Sequence, residues 1–325
     1  DVNLDVEYNF AKLLQESLYF YDANMCGELE GKCALSWRKN CHTYDKTAVK
    51  YNGKTVDVSG GFHDAGDHDK FGLPQGYSAT MLGIGYYEFK QAYEELGQSE
   101  HFKTILDYFC DYFVRCTVLD DDGNAQAFCY QVGDGASHSS WVAAEDETIN
   151  RPAYFADASN PATDQVSEAA AALAIHYMNF GDKNYLDYAK KLFALAKNNK
   201  KEAKSTDGGG FYSSSSWSDD YCLAAAWLYK ATGDSTYKTE YDAYKSTVDV
   251  GAWPGWDQVG PYAIAYGSND VSKLESNFSA TKGQTSTISN GYSWLCKWGS
   301  ARYNCNMQME GLVIDNHNGK NQYTD

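Results

Sequence analysis

Only Ala65 and Gly66 separate Asp64 from Asp67 in the run Gly60-Gly61-Phe62-His63-Asp64-Ala65-Gly66-Asp67, and Asp69 follows at once. Like charges this close repel, and each raises the pKa of the other. A fold that gathers them has a use for them. One use is general-base chemistry, in which a carboxylate takes a proton from water. The competing reading is a plain turn, since Gly and Asp are both common turn residues. A second group lies beside the first. Cys26, Cys41, His42 and His63 supply two thiols and two imidazoles, a donor set that suits a closed tetrahedral zinc site. His63 directly precedes Asp64, so a metal there would brace the aspartate loop from behind. The spacing is not that of a zinc finger, and a Cys26–Cys41 or Cys33–Cys41 disulfide is the rival reading. Nine cysteines are an odd number, so at least one lies outside any internal disulfide. Cys110 and Cys116 fall on or near a predicted helix and read as buried thiols.

The elements that must carry these groups are helices. Phe10, Leu13, Leu14, Leu18 and Tyr21 follow helical spacing, as do Phe102, Ile105, Leu106, Phe109 and Phe113. Residues 167–177 and 219–230 are Ala-rich and apolar all round, which predicts buried inner helices. No run of alternating strands competes. A weak repeat links the helices: an apolar helix ends at Gly, and an aromatic residue opens the next one. It recurs as Gly97…Phe102, Gly181…Tyr185, Gly233…Tyr237 and Gly319…Tyr323. Gly stops a helix because it tolerates the left-handed conformation. Asp182 and Asp234 are placed to cap the helices that follow. Inner helix, Gly loop and more polar outer helix, repeated around a ring, predict an all-α barrel of helix hairpins. The last copy has an inner helix at 298–314, but its outer partner is not reached by Asp325. Long loops are expected at 25–76, 126–164 and 246–260, and long ordered loops in compact domains are usually functional.

Composition narrows the partners. The 325 residues are 43% hydrophobic, enough for a large single core. With 27 Tyr and 8 Trp, the chain is well supplied with aromatic faces on which sugar rings can stack. Trp141, Trp253, Trp256 and Tyr212 lie in predicted loops and are the candidates for that role. A net charge of −17 argues against nucleic acid, which needs basic surface to displace counterions, and against anionic membranes and polyanionic polysaccharides. A neutral polymer is compatible. No run of about 18 apolar residues could span a membrane. The chain opens Asp1-Val2-Asn3, as a processed product would, and a secreted protein with its signal peptide removed is expected.

The run Gly60-Gly61-Phe62-His63-Asp64-Ala65-Gly66-Asp67-His68-Asp69-Lys70-Phe71 closely resembles the base-bearing loop of glycoside hydrolase family 9, the inverting endoglucanases. The resemblance runs through most of the chain. It includes Leu35-Ser36-Trp37-Arg38, Tyr130-Gln131-Val132-Gly133-Asp134-Gly135 with His138, Trp141 and Arg151-Pro152, the blocks Phe211-Tyr212-Ser213 and Ala225-Ala226-Trp227, and Trp298-Gly299-Ser300-Ala301-Arg302-Tyr303. It implies an (α/α)6 barrel with an open cleft and hydrolysis of β-1,4-glucosidic bonds with inversion. Such a reaction needs a base and an acid about 6.5–9.5 Å apart. Asp67 resembles the general base and Asp64 its water-positioning partner. His138, Trp141, Tyr212 and Trp256 are expected to contact the sugar chain, and Arg151 to pin the loop. Some members carry a structural zinc at positions like Cys26, Cys41, His42 and His63, with Cys33 left as the spare thiol. Many bind calcium near residues like Ser215, Ser216, Asp219, Asp220 and Asp257. The match there is weakened by Ser for Gly and Asp for Glu, and Asp219 could equally be a helix N-cap. No organic cofactor is implied.

The family's general acid is a Glu in a C-terminal Asn-Glu block, preceded by a Pro-His-His-Arg segment. Neither block occurs in these residues, and Glu310 falls in a predicted buried helix that does not match. The unfinished repeat and the missing acid together suggest that residues 1–325 form a family 9-like catalytic domain incomplete at its C-terminus, with accessory or docking modules possible outside it. The leading expectation is an endo-β-1,4-glucanase acting on cellulose or a related β-glucan. A glycan-binding protein without turnover is the alternative. A uronate lyase would need more cationic loops than this acidic chain offers.

Overall fold

The computed structural model describes residues 9–204, 211–249, 259–287, 293–297 and 299–323. In chain order it comprises α1 (Phe10–Asn24), β1 (Lys50–Tyr51), β2 (Lys54–Thr55), β3 (Lys70–Phe71), α2 (Gly72–Glu95) and α3 (Ser99–Cys116). Next come β4 (Thr117–Leu119), β5 (Ala125–Val132), the short α4 (Gly135–His138), β6 (Ala153–Asp157), α5 (Thr163–Phe180), α6 (Lys183–Asn198), α7 (Ser218–Thr232) and α8 (Ser235–Tyr244). The last part holds α9 (Gly260–Ser268), α10 (Ser272–Gln284), β7 (Ser286–Thr287), β8 (Ser293–Trp294) and α11 (Ser300–Asn318).

The helices alternate between an inner and an outer layer, in the manner of an (α/α)6 barrel. In the inner layer α2 packs on α5, α5 on α7 and α7 on α9, while α3, α6, α8 and α10 back them from outside. The sequence explains which helix goes where. On α5, residues 163–176 are all buried, including the run Ala169–Ala172, and α7 is buried from Ser218 to Leu228. The alanine runs 169–172 and 224–226 let neighbouring helices approach closely, and the apolar residues around them bury the remaining faces. By contrast α6 buries Tyr185, Leu186, Ala189, Leu192, Phe193, Leu195 and Ala196 along one face and leaves its Lys and Asn residues on the other. The Gly stops behave as expected. Gly181, Gly233 and Gly319 take the left-handed conformation at helix ends, and the side chains of Asp182 and Asp234 accept from the first backbone N–H groups of α6 and α8.

Three features differ from the sequence reading. The region 126–164, expected as a loop, holds most of β5 and all of β6, which belong to a four-stranded antiparallel sheet in which β5 pairs with β3, β4 and β6. Six consecutive residues of β5, 127–132, are buried, so the strand lacks the alternation that marks a half-exposed one. The helix at 10–24 forms, yet Phe10, Leu13 and Phe20 are exposed on it. Asp219 lies in the first turn of α7 rather than at its N-cap, which is Trp217. All nine cysteines are free thiols, so neither rival disulfide is formed. No helix among the described residues is long and apolar enough to cross a membrane.

Candidate active site

The aspartate loop springs from the contact of three elements. Behind it, the end of α1 grips its entry: His63 N–H donates to Asn24 O at 2.8 Å, and Cys26 N–H to Gly61 O at 2.9 Å. Ahead of it, Lys70 and Phe71 pair with Val132 and Gln131 of β5. Asp64 N–H donates to Asp69 O at 3.0 Å and closes the loop on itself. Asp67 and Asp69 are buried and Asp64 is half-buried.

Each carboxylate has its own partner. The Tyr212 hydroxyl donates to Asp64 Oδ2 at 2.5 Å, and its ring is set edge-on to Phe71 at 4.8 Å. His138 Nδ1 stands 3.3 Å from Asp67 Oδ2, and its ring lies 4.2 Å from that of Phe211. Ser137 Oγ donates to Asp69 Oδ1. The turn between β5 and α4 brings Ser137 there, and it depends on Gly133. That residue has φ +103°, and a Cβ on it would overlap Asp69 Oδ1. The Trp141 ring passes over Gly66, between the two aspartates, and the side chain is 84% exposed. Burial pushes the Asp64 carboxyl up to about 6 against the Tyr212 hydrogen bond, and the Asp67 charge adds to the rise. Burial likewise pushes Asp69 up to about 7, opposed by Ser137 and helped by Asp67. The site therefore holds one aspartate, Asp67, between two carboxyls that titrate near neutrality.

Directly behind the loop, donor atoms of Cys26, Cys41, His42 and His63 converge within 4.8 Å of one another, all four residues being buried. Cys26 Sγ lies 3.7 Å from His42 Nδ1, Cys41 Sγ 4.0 Å from His63 Nε2, and the two imidazole nitrogens are 3.3 Å apart. His42 takes a left-handed backbone conformation with φ +47°, uncommon for a side chain of its size. Its other nitrogen, Nε2, stands 2.8 Å from Glu147 Oε2, and Glu147 Oε1 is 3.1 Å from His68 Nδ1. Burial opposes a thiolate at Cys26, but the Cys41 thiol, Lys70 and both imidazoles hold it well below its usual range. Burial also pushes His63 down, toward the neutral imidazole that binds metal.

Of the residues expected at a calcium site, Ser215 and Ser216 precede α7 while Asp219 and Asp220 open it; Asp257 lies outside the described residues, as do Trp253 and Trp256. Arg151 pins the loop as expected, donating from Nη2 to His68 O at 2.5 Å. Glu310 is buried in α11 against Asn277, as its sequence context suggests. Sequence reasoning missed Ser137, Glu147 and Asp45. Ser137 adjoins His138 on α4, whereas Glu147 and Asp45 stand in no motif and reach the site from segments distant in the chain.

The model of "Glycosyl hydrolase family 9" matches residues 10–325. Endoglucanase B of Cellulomonas fimi is 34% identical over 94% of this chain and 31% of its own length. The chain spans between 31% and 54% of the first curated relatives it matches. Among solved structures, the catalytic domain of Clostridium thermocellum CelT superposes with a TM-score of 0.88 at 40% identity, covering 96% of this chain and 76% of that one. The cellulase Cel9M of C. cellulolyticum, in complex with cellobiose, gives 0.86 at 37% identity, covering 98% and 76%. Aspartate loop, helix-hairpin barrel and matched length agree: the chain belongs to glycosyl hydrolase family 9.

Proposed function

We propose that this chain carries the base half of an inverting endo-β-1,4-glucanase acting on cellulose or a related β-glucan. The observation that carries the reading is the aspartate loop, with Asp67 held by His138 and flanked by Asp64 on Tyr212. In the proposed step, Asp67 takes a proton from water while the water oxygen bonds to the anomeric carbon. Asp64 orients the same water. The glycosidic C–O bond breaks on the opposite face, and the leaving oxygen takes its proton from an acid not assigned to any residue of this chain. Trp141 offers an exposed ring over the loop for a pyranose face, and the complex of Cel9M with cellobiose supports a β-glucan as ligand. Proton NMR of the products from a soluble cello-oligosaccharide tests the reading. The α-anomer should form first. First appearance of the β-anomer would exclude a single displacement by water.

Zinc is proposed at Cys26, Cys41, His42 and His63. Bonds of about 2.3 Å to sulfur and about 2.0–2.1 Å to nitrogen give tetrahedral edges of about 3.3 Å between nitrogens and about 3.6 Å between sulfur and nitrogen. The observed 3.3, 3.7 and 4.0 Å fit that size. Glu147 would orient His42 through its second nitrogen. The metal's part would be structural, tying the end of α1 to the aspartate loop. Calcium is proposed at Ser215, Ser216, Asp219 and Asp220 with Asp257, an all-oxygen donor set. Elemental analysis of the purified protein checks both. One zinc per chain, lost on Cys41→Ser, is expected, and zinc-free protein with unchanged thermal stability would remove that assignment.

A further inference from the structure

The chain carries a net charge of −17 and has only four arginines, Arg38, Arg115, Arg151 and Arg302. Three of its cations are gathered under the most anionic loop. Lys70 is fully buried. Its Nζ donates to Val58 O at 2.5 Å and Gly60 O at 3.1 Å, and stands 2.8 Å from Asp45 Oδ2. Arg151, also buried, reaches the same Asp45 Oδ2 at 3.1 Å through Nη1 and donates from Nη2 to His68 O. Arg115 Nε donates to Ser59 O at 3.0 Å, and its guanidinium occupies the space a Cβ on Gly60 would need. The loop's entry, 58–60, and its exit at His68 thus have their carbonyls turned onto cations. Lys70 sits on the exit strand and holds the entry.

Burying two cations against one carboxylate leaves a net positive charge, and desolvation makes that costly unless another anion lies near. Asp69 is one such anion. Arg151 acts directly on Asp69, opposing the rise that burial imposes. We propose that Lys70, Arg115 and Arg151, balanced by Asp45, form a cationic cradle that fixes both ends of the aspartate loop and favours the charged form of Asp69. The proposal rests on reading Asp67 as the base and adds positioning residues to it; none of the four touches substrate. Lys70 also faces Cys26, so the rival role is charge balance for the thiols alone.

The test is a carbon-13 carboxyl titration of the intact labelled protein, with Asp69→Asn assigning the resonance. Ser137, His138, Arg151 and Asp67 face Asp69. A nearby cation favours the charged carboxylate, so losing one raises the midpoint and losing the balancing anion lowers it. Lys70→Met and Arg115→Gln should move the Asp69 midpoint up by several tenths of a unit, and Asp45→Asn should move it down. Mere loosening of the loop would hydrate the Asp69 carboxyl and move its midpoint down in all three. Unmoved midpoints in both cation variants, or a downward shift in all three, overturn the cradle. Arg115→Gln, which touches one carbonyl at the half-buried edge, decides alone if the deeper variants do not fold. Hydrolysis of dinitrophenyl β-cellobioside by Asp67→Asn separately tests the base. If that variant keeps full activity, the catalytic reading fails and the titration result still stands.

Discussion

Asp67 is buried and its Oδ2 lies 3.3 Å from an imidazole nitrogen, so the oxygen that would take a proton from water is already oriented. A base placed this way contributes about 10²–10⁴-fold to a rate. Asp67→Asn should therefore lower kcat on dinitrophenyl β-cellobioside by about 10²-fold or more with KM little changed. That substrate suits the test because its leaving group departs without a proton and so reports the base alone. Tyr212→Phe acts one step further out. It leaves Asp64 Oδ2 without its 2.5 Å donor while keeping the ring on Phe71. Losing a hydrogen bond to a charged group costs about 1.5–3 kcal/mol, so kcat should fall about tenfold or more. An unchanged kcat in steady-state assays would mean that Tyr212 only packs. The sequence made Asp64, Asp67 and the Cys–His set visible because they sit in short runs of unusual residue types. Tyr212 was expected against the sugar, but its hydroxyl is committed to Asp64, a contact 148 residues apart in the chain that no local pattern reveals.

At the scale of elements, β5 is the part that builds the site and the part least legible beforehand. It carries Lys70 and Phe71 on one edge, continues through Gly133 into α4, and so delivers Ser137 and His138 to the aspartates. Its six successive buried residues look like any short apolar run, which periodicity alone cannot assign to strand or helix. The helix hairpins were legible for the opposite reason. Gly181, Gly233, Asp182 and Asp234 act on backbone groups within a few residues, so local sequence is enough to place them. Gly133 tests the role of the strand. With φ +103°, and with Asp69 Oδ1 and Ser137 Oγ where a Cβ would go, Gly133→Ala must displace the turn. The variant should fold with a lower melting temperature and lose most hydrolytic activity. Hydrogen exchange should quicken at residues 64–71 and 133–138 while α5 and α7 stay protected. Uniform loss of protection would show that the turn supports the barrel and not the site alone.

For the whole molecule, the buried carboxyls set how stability responds to pH. Burial pushes Asp69 and Asp164 from 3.8 to about 7, and Glu310 from 4.5 to about 7, although Ser137, backbone N–H groups and Asn277 respectively oppose it. A carboxyl whose pKa is raised on folding binds its proton more tightly in the native state. Its contribution is complete below the unfolded value and is lost as pH climbs through the folded one. These three groups therefore favour the folded state at acid pH and cease to do so through about pH 7. Two others set the lower limit. Burial opposes charge on Glu88 and Asp107, yet His317, Tyr266 and Asn316 hold the first below its usual range, and His176 and Lys103 the second. Their stabilisation is present above the ordinary carboxyl range and disappears as pH falls through their lowered values. The stability of both sets is greatest where they meet, near the ordinary carboxyl range at roughly pH 4–4.5. The charge of −17 acts in the same direction, since each proton gained relieves self-repulsion. Calorimetry should find a melting temperature several degrees higher near pH 5.5 than at pH 8, given about 2–4 °C per kcal/mol in larger domains. Glu310→Gln, which keeps the amide geometry beside Asn277 and cannot ionise, should flatten the alkaline decline. A melting temperature that instead rises toward pH 8 would mean these carboxyls are charged and paired in the native barrel.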